Sequence, residues 1–149
     1  ISKYFTNMIE LKSKQNRDGK YGFVDSEGLW VIEPKFEDVG EFDNDLAEAQ
    51  QDGKYGFIDQ LGNWAIKPQF DEVCWFFSDE LAYARVGKKY GYINTNGDWV
   101  IAPTFDDVWH FKDGVAGVCY EGKYGFINKK GEWIIYPIDI DAIDKYYYK

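Results

Sequence analysis

Short apolar runs alternate with polar turn residues along the whole chain. Leu46–Gln51 and Lys54–Asp59 carry the period of two expected of strands. Trp64–Lys67 supplies a third short strand. Asp52-Gly53 between the first two is a type I′ hairpin signal. Gln60-Leu61-Gly62 before the third fits a type I turn closed by a left-handed glycine. Pro68 is expected to end the third strand, because proline cannot donate to a ladder. The unit is therefore a three-stranded antiparallel meander.

This pattern returns four times. KYGF stands at 20–23, 54–57 and 123–126, and KYGY at 89–92. The tyrosines Tyr21, Tyr55, Tyr90 and Tyr124 are spaced by 34, 35 and 34 residues. Trp30, Trp64, Trp99 and Trp133 keep that spacing, as do Gly28, Gly62, Gly97 and Gly131. So do the prolines Pro34, Pro68, Pro103 and Pro137. FEDVGEF (36–42), FDEVCWF (70–76) and FDDVWHF (105–111) follow in phase, with a degraded IDAIDKY at 140–146. DLAEAQ (45–50), ELAYAR (80–85) and GVAGVC (114–119) come next, and MIELK (8–12) is expected to do the same work in the first copy. The extra residue of the longer period falls between Phe76 and Leu81.

The units run over about 8–34, 45–68, 80–103 and 114–137, with a tail at 138–149, and make one repeat domain. The hairpin turns of the first and fourth units, Asp18-Gly19 and Glu121-Gly122, read as type I′. Gly87-Lys88 in the third suits type II′. Taken literally, the loop lengths pair Ala49 with Gly56, Ala47 with Ile58, Ile58 with Trp64 and Gly56 with Ile66. One face then carries Ala47, Ala49, Gly56, Ile58, Trp64 and Ile66, and Gly56 leaves room for the indole. Leu46, Tyr55, Phe57 and Ala65 make the other face apolar as well. Such a sheet needs cover on both sides, which neighbouring copies provide. The expected fold is all-β, an open β-solenoid or superhelix of meanders. A small closed propeller-like ring is the alternative.

Composition narrows the function. The 149 residues carry a net charge of −9, against a nucleic-acid groove or docking on anionic lipid. No apolar run is long enough to span a bilayer, so membrane insertion is not expected. Aromatic residues make 19% of the chain. One His and 2 Cys leave too few ligands for zinc, and no nucleotide or nucleophile-elbow motif is present. No catalytic residue, metal site or cofactor is expected. Cys74 and Cys119 stand at unlike repeat positions and read as free thiols. No signal peptide is visible, and the start at Ile1 reads as a piece or processed form of a longer protein.

The pattern GKYGFID-x-x-G-x-W-x-I-x-P-x-F-D-x-V-x-x-F-x-x-x-L-A resembles the bacterial WG repeat, also called KWG. The resemblance covers about residues 8–146. It implies an all-β repeat protein, often set in longer arrays or beside other domains. It implies no reaction, so no catalytic residue is carried over. The fourth copy departs from the pattern, with Ile138-Asp139 after Pro137 in place of the phenylalanine.

Two groups of residues could carry function. Glu37-Asp38, Asp71-Glu72 and Asp106-Asp107 recur after each Phe. They form either an acidic ladder able to bind Ca²⁺ or a solvated edge in which one residue caps a turn. The second reading is favoured, since no Ca²⁺ loop motif is present. After the recurring valine the copies diverge, reading Gly40-Glu41, Cys74-Trp75 and Trp109-His110. Trp75, Trp109 and His110, with the inserted Phe77, are aromatics that periodicity does not require. They form either a partner surface or a local core under an irregular loop. The expected function is a non-enzymatic repeat module that binds another protein. A carbohydrate- or cell-wall-binding module using exposed aromatics is the alternative, and a passive spacer of a larger protein is the third reading.

Overall fold

The structure is a computed structural model that describes residues 9–139. Met8 and the tail from Ile140 to Lys149, including IDAIDKY and Tyr146 to Tyr148, lie outside the described residues. The described residues contain strands and turns without a helix, so no helix is long and apolar enough to cross a membrane.

Four antiparallel sheets match the four repeats. The first joins β1 (Lys12–Gln15), β2 (Tyr21–Val24) and β3 (Trp30–Phe36) in that order. The second joins β4 (Asp38–Val39), β5 (Ala47–Gln51), β6 (Lys54–Ile58) and β7 (Trp64–Phe70). The third holds β8 (Glu72–Val73), β9 (Ala82–Val86), β10 (Lys89–Ile93) and β11 (Trp99–Phe105). The fourth holds β12 (Asp107–Val108), β13 (Val115–Tyr120), β14 (Lys123–Asn128) and β15 (Trp133–Ile138). Each sheet is a simple meander with two edge strands, and none closes into a barrel. The chain divides into two compact units, Ile1–Gln69 and Phe70–Lys149.

In each unit the front of one sheet covers the back of the sheet before it. In the first unit, Ala47, Ala49 and Ile58 pack on Phe23, Ile32 and Phe36, with Trp64 and Phe42 at the margin. In the second, Ala116, Val118 and Ile127 pack with Tyr92, Ile101 and Phe105, and Phe111 completes the cluster. Small residues on the covering strand let the sheets approach, and the aromatics fill the space between. Trp64, Trp99 and Trp133 each meet the last phenylalanine of the preceding copy edge-on. Phe36–Trp64 and Phe70–Trp99 have ring centroids 5.5 Å apart at 87° and 88°. Phe105–Trp133 repeats this at 6.0 Å and 85°. Such a pair adds about 1 kcal/mol beyond its buried area.

The hairpin register holds where expected: Ala47 pairs with Ile58 and Ala49 with Gly56. Asp52 and Gly53 have φ of 52° and 77°, as a type I′ turn requires. Several details differ from the sequence reading. The third strand of each meander does not stop at proline but runs through it, to Phe36, Phe70, Phe105 and Ile138. A β-bulge makes this tolerable, because the proline then owes no ladder bond. A second irregularity, between the tryptophan and the isoleucine, resets the register. Phe23 pairs with Ile32, Tyr92 with Ile101 and Phe126 with Ile135, so the isoleucine sides with the aromatic and not with the glycine.

The strand glycine of the first three sheets therefore has another cause than indole room, while in the fourth a Cβ on Gly125 would lie 2.9 Å from the Trp133 indole as well as 2.7 Å from the Ile135 carbonyl oxygen. A Cβ on Gly56 would lie 2.3 Å from the carbonyl oxygen of Ile66, and Gly22 and Gly91 meet the same obstacle. The first hairpin is not type I′ at Asp18-Gly19. It is a longer loop closed by Asn16 N–H to Lys20 O at 2.8 Å, with Gly19 alone at positive φ. Its first strand begins at Lys12, near the end of MIELK. A fourth short strand, β4, β8 or β12, was not expected at all. It pairs with the Ala-x-Ala strand next to it, through Val39–Ala49, Val73–Ala84 and Val108–Val118.

Candidate functional site

The short fourth strand explains the acidic pairs. Its geometry brings the first acid of each pair to the hairpin turn of its own sheet. Glu37 accepts from Gly53 N–H at 2.7 Å, Asp71 from Gly87 N–H at 2.7 Å and Asp106 from Glu121 N–H at 2.8 Å. The second acid of two pairs takes the KYG tyrosine. Asp38 accepts from Tyr55 Oη at 2.6 Å, and Glu72 accepts from Tyr90 Oη. Asp107 accepts from the N–H of Val108 at 3.0 Å. Asp106 also pairs with Lys89, and their hydrogen bond holds the carboxyl pKa below its ordinary value and the ammonium pKa above it. Among the described residues, no three His, Cys, Asp or Glu side chains group so as to hold a metal ion.

The sequence reading passed over one recurrent polar position. Asp25, Asp59, Asn94 and Asn128 each accept two backbone N–H bonds across the following turn, at 2.9 to 3.0 Å. A short Asx side chain ahead of every x-x-Gly turn was the available signal.

The irregular aromatics lie just beyond the short strands of the second unit. The backbone there is fixed by cross-strand bonds. Cys74 N–H donates to Tyr83 O at 2.9 Å, and Trp109 N–H to Gly117 O at 3.0 Å. The two loops that follow are tied together, since Gly114 N–H donates to Asp79 Oδ2 at 2.7 Å and Ser78 Oγ to Phe111 O. Phe77 is the residue added between Phe76 and the Ser78–Leu81 bridge, and it is half-buried.

Trp75 is 57% exposed and Trp109 is 48% exposed, and His110 is exposed as well. Trp75 meets Phe76 at 4.5 Å, and Phe76 meets His110 at 5.2 Å. The structure thus joins Trp75 and His110 through Phe76, a ring that keeps the period of the repeat. Trp109 turns the other way. It lies over Gly117, where an added Cβ would be 3.4 Å from the indole, and its ring is 6.1 Å from that of Tyr124.

The position filled by Trp109 is a cross-strand pocket present in every four-stranded sheet. The pairs are Gly40 with Glu48, Cys74 with Tyr83 and Trp109 with Gly117. Burial pushes the Tyr83 hydroxyl up to about 12, with the neighbouring Cys74 and Glu72 adding to it. Burial likewise raises Tyr92, whose hydroxyl donates to Trp109 O at 2.6 Å. Glu48 is pushed up to about 7, first by burial and then by the charges of Asp38 and Glu41. One of its oxygens, Oε2, is buried without a hydrogen-bond partner.

Four in-phase meanders, each packed on the next within its unit, define an all-β tandem-repeat protein. The chain belongs to the WG containing repeat family, whose model matches residues 21–55, 55–90, 90–124 and 124–147. The family's units start at the KYG tyrosine, half a meander later than the boundaries drawn above. No curated protein matches the chain. Among solved structures it is similar to "Crystal structure of HIRA(644-1017)", at 12% identity and a TM-score of 0.44. That match covers 82% of this chain and 42% of the other, and at that score it assigns no function.

Proposed function

We propose that the chain is a non-enzymatic repeat module that binds another protein through the aromatic edge of its second unit. Trp75, Phe76 and His110 form one cluster of this edge, and Trp109 flanks it over Gly117; the half-buried Phe77 follows Phe76. The observation that carries the reading is the half-exposure of two tryptophans at positions where the first copy has Gly40 and Glu41. Large rings held on tied loops lose little freedom on binding and are the usual anchors of protein interfaces. The acidic surroundings favour a basic partner. Both thiols, Cys74 and Cys119, are buried, Cys74 beside Tyr83, while His110 faces Phe76.

Affinity capture from cells of the source organism tests the reading. The wild type should retain a specific protein that the Trp75→Ala/Trp109→Ala variant loses while keeping its circular dichroism spectrum. Capture of the same protein by both forms would refute it. Exposed indoles also suit sugar stacking. Quenching of tryptophan fluorescence by a polysaccharide, lost in the double variant, would move the assignment to glycan binding.

A further inference from the structure

Among the described residues the first sheet has no short fourth strand. In the other three, β4, β8 and β12 line the outer side of β5, β9 and β13. On β1 a side chain of the next copy reaches the backbone instead. Ser13 N–H donates to both carboxylate oxygens of Glu41, at 3.2 and 3.1 Å, and Ser13 Oγ donates to Oε1 as well. Glu41 lies just past β4, before the Asp43–Leu46 bridge. Both residues belong to the first compact unit, and their contact ties its two sheets together at the surface.

A second carboxyl group stands beside this tie. Glu48 on β5 lies against Gly40, the residue before Glu41, and its Oε2 is buried without a hydrogen-bond partner. Gly40 N–H donates to Glu48 O at 3.0 Å, so the two backbones are fixed and the carboxyl groups must adjust. The charges acting on Glu48 are acidic: Asp38 on β4 and Glu41 both repel its ionised form. On β6, Tyr55 shares the face of Glu48, and its hydroxyl donates to Asp38. On β1, Lys12 and Lys14 alternate with Ser13 and take the opposite face of the strand. Asp38 is held within a strand by Tyr55, whereas Glu41 is exposed on a loop. Glu41 is therefore the carboxylate able to move away.

We propose that the Glu41–Ser13 contact is a pH-sensitive latch between the first two sheets, closed while Glu48 is protonated and loosened when Glu48 ionises. Burial, with the two acidic neighbours, pushes the Glu48 carboxyl up to about 7, so the latch is intact on the acid side and loosens as pH rises through that value. The pair of acids is confined to the second copy. The third has Trp75 and Tyr83 at these positions, and the fourth has His110 and Gly117.

An NMR titration of the whole 149-residue chain from pH 5.5 to 9 tests this, following the Ser13 amide proton and the Glu48 Cδ carbon. The two signals should move with one midpoint. The amide proton should shift at least half way toward its position in Glu41→Ala, where the bond is gone. In Glu48→Gln, which keeps the size of the side chain, the Ser13 amide should hold its acid-side position throughout. Unchanged methyl signals of the buried Ile32 and Ala47 check that each form stays folded. A Ser13 signal that stays fixed while Glu48 titrates overturns the proposal. So does a Ser13 shift of the same size in Glu48→Gln, or a Glu48 carbon that does not titrate in this range.

Discussion

The second and fourth sheets solve one packing problem in opposite ways. Beside Gly40 the bulk comes from Glu48 on the neighbouring strand, and a Cβ on Gly40 would lie 1.9 Å from that carboxylate. Beside Gly117 the bulk comes from Trp109. The third sheet is intermediate, with Cys74 and Tyr83. The fold thus specifies a volume shared by two strands and leaves open which strand fills it. Chemistry follows from that choice. The fourth sheet presents a half-exposed indole, while the second sheet holds a carboxylate it cannot fully pair.

The strand glycine offers the sharpest contrast with this freedom. Gly91→Ala should destabilise by about 3 kcal/mol or more, because the obstacle is backbone and has no partner able to shrink. Urea unfolding measures it, and a loss under about 1 kcal/mol would mean that the bulge can shift. Gly40→Trp should cost less, about 1–2 kcal/mol, since the Glu48 side chain can swing aside. Adding Glu48→Gly should recover most of that loss. A double-mutant cycle with coupling below about 0.5 kcal/mol would break the shared-volume account.

The Glu48 carboxyl adds a pH dependence. Its folded value of about 7 lies above the ordinary 4.5, so folding favours the protonated form. This stability is fully present below pH 4.5 and is lost as pH rises through about 7. Glu48→Gln should therefore melt higher than the wild type at pH 8 and match it near pH 4. Parallel melting curves for the two proteins across that range would discount the burial of this carboxyl. The smallest effect belongs to Lys89→Ala. Its pair with Asp106 is exposed, and the melting midpoint should not move measurably at physiological salt.

Much of the core was legible because the period marks it. Ala47, Ala49 and Ile58 follow from strand alternation and turn length, and all three are buried. Ile66 was misplaced onto the tryptophan face because a bulge leaves no mark on a two-residue pattern; the paired counterparts Ile32 and Ile101 reveal the shift. The fourth strand was missed because two residues are too few to show alternation. Of the aromatic edge, Trp75, Trp109 and His110 stood out as departures from the repeat. Phe76 did not, since its ring obeys the period and only the tied loops bring it between Trp75 and His110.

The sequence alone determined the number of copies, the order of the three longer strands in each and most of the turns that join them, because these depend on neighbours along the chain. Tertiary structure decided which face each residue joins beyond the bulge, and where each acid finds its donor. It also decided which strand fills the shared pocket and which aromatics stay exposed. Those outcomes depend on backbone approach and volume across strands, which a linear spacing does not contain.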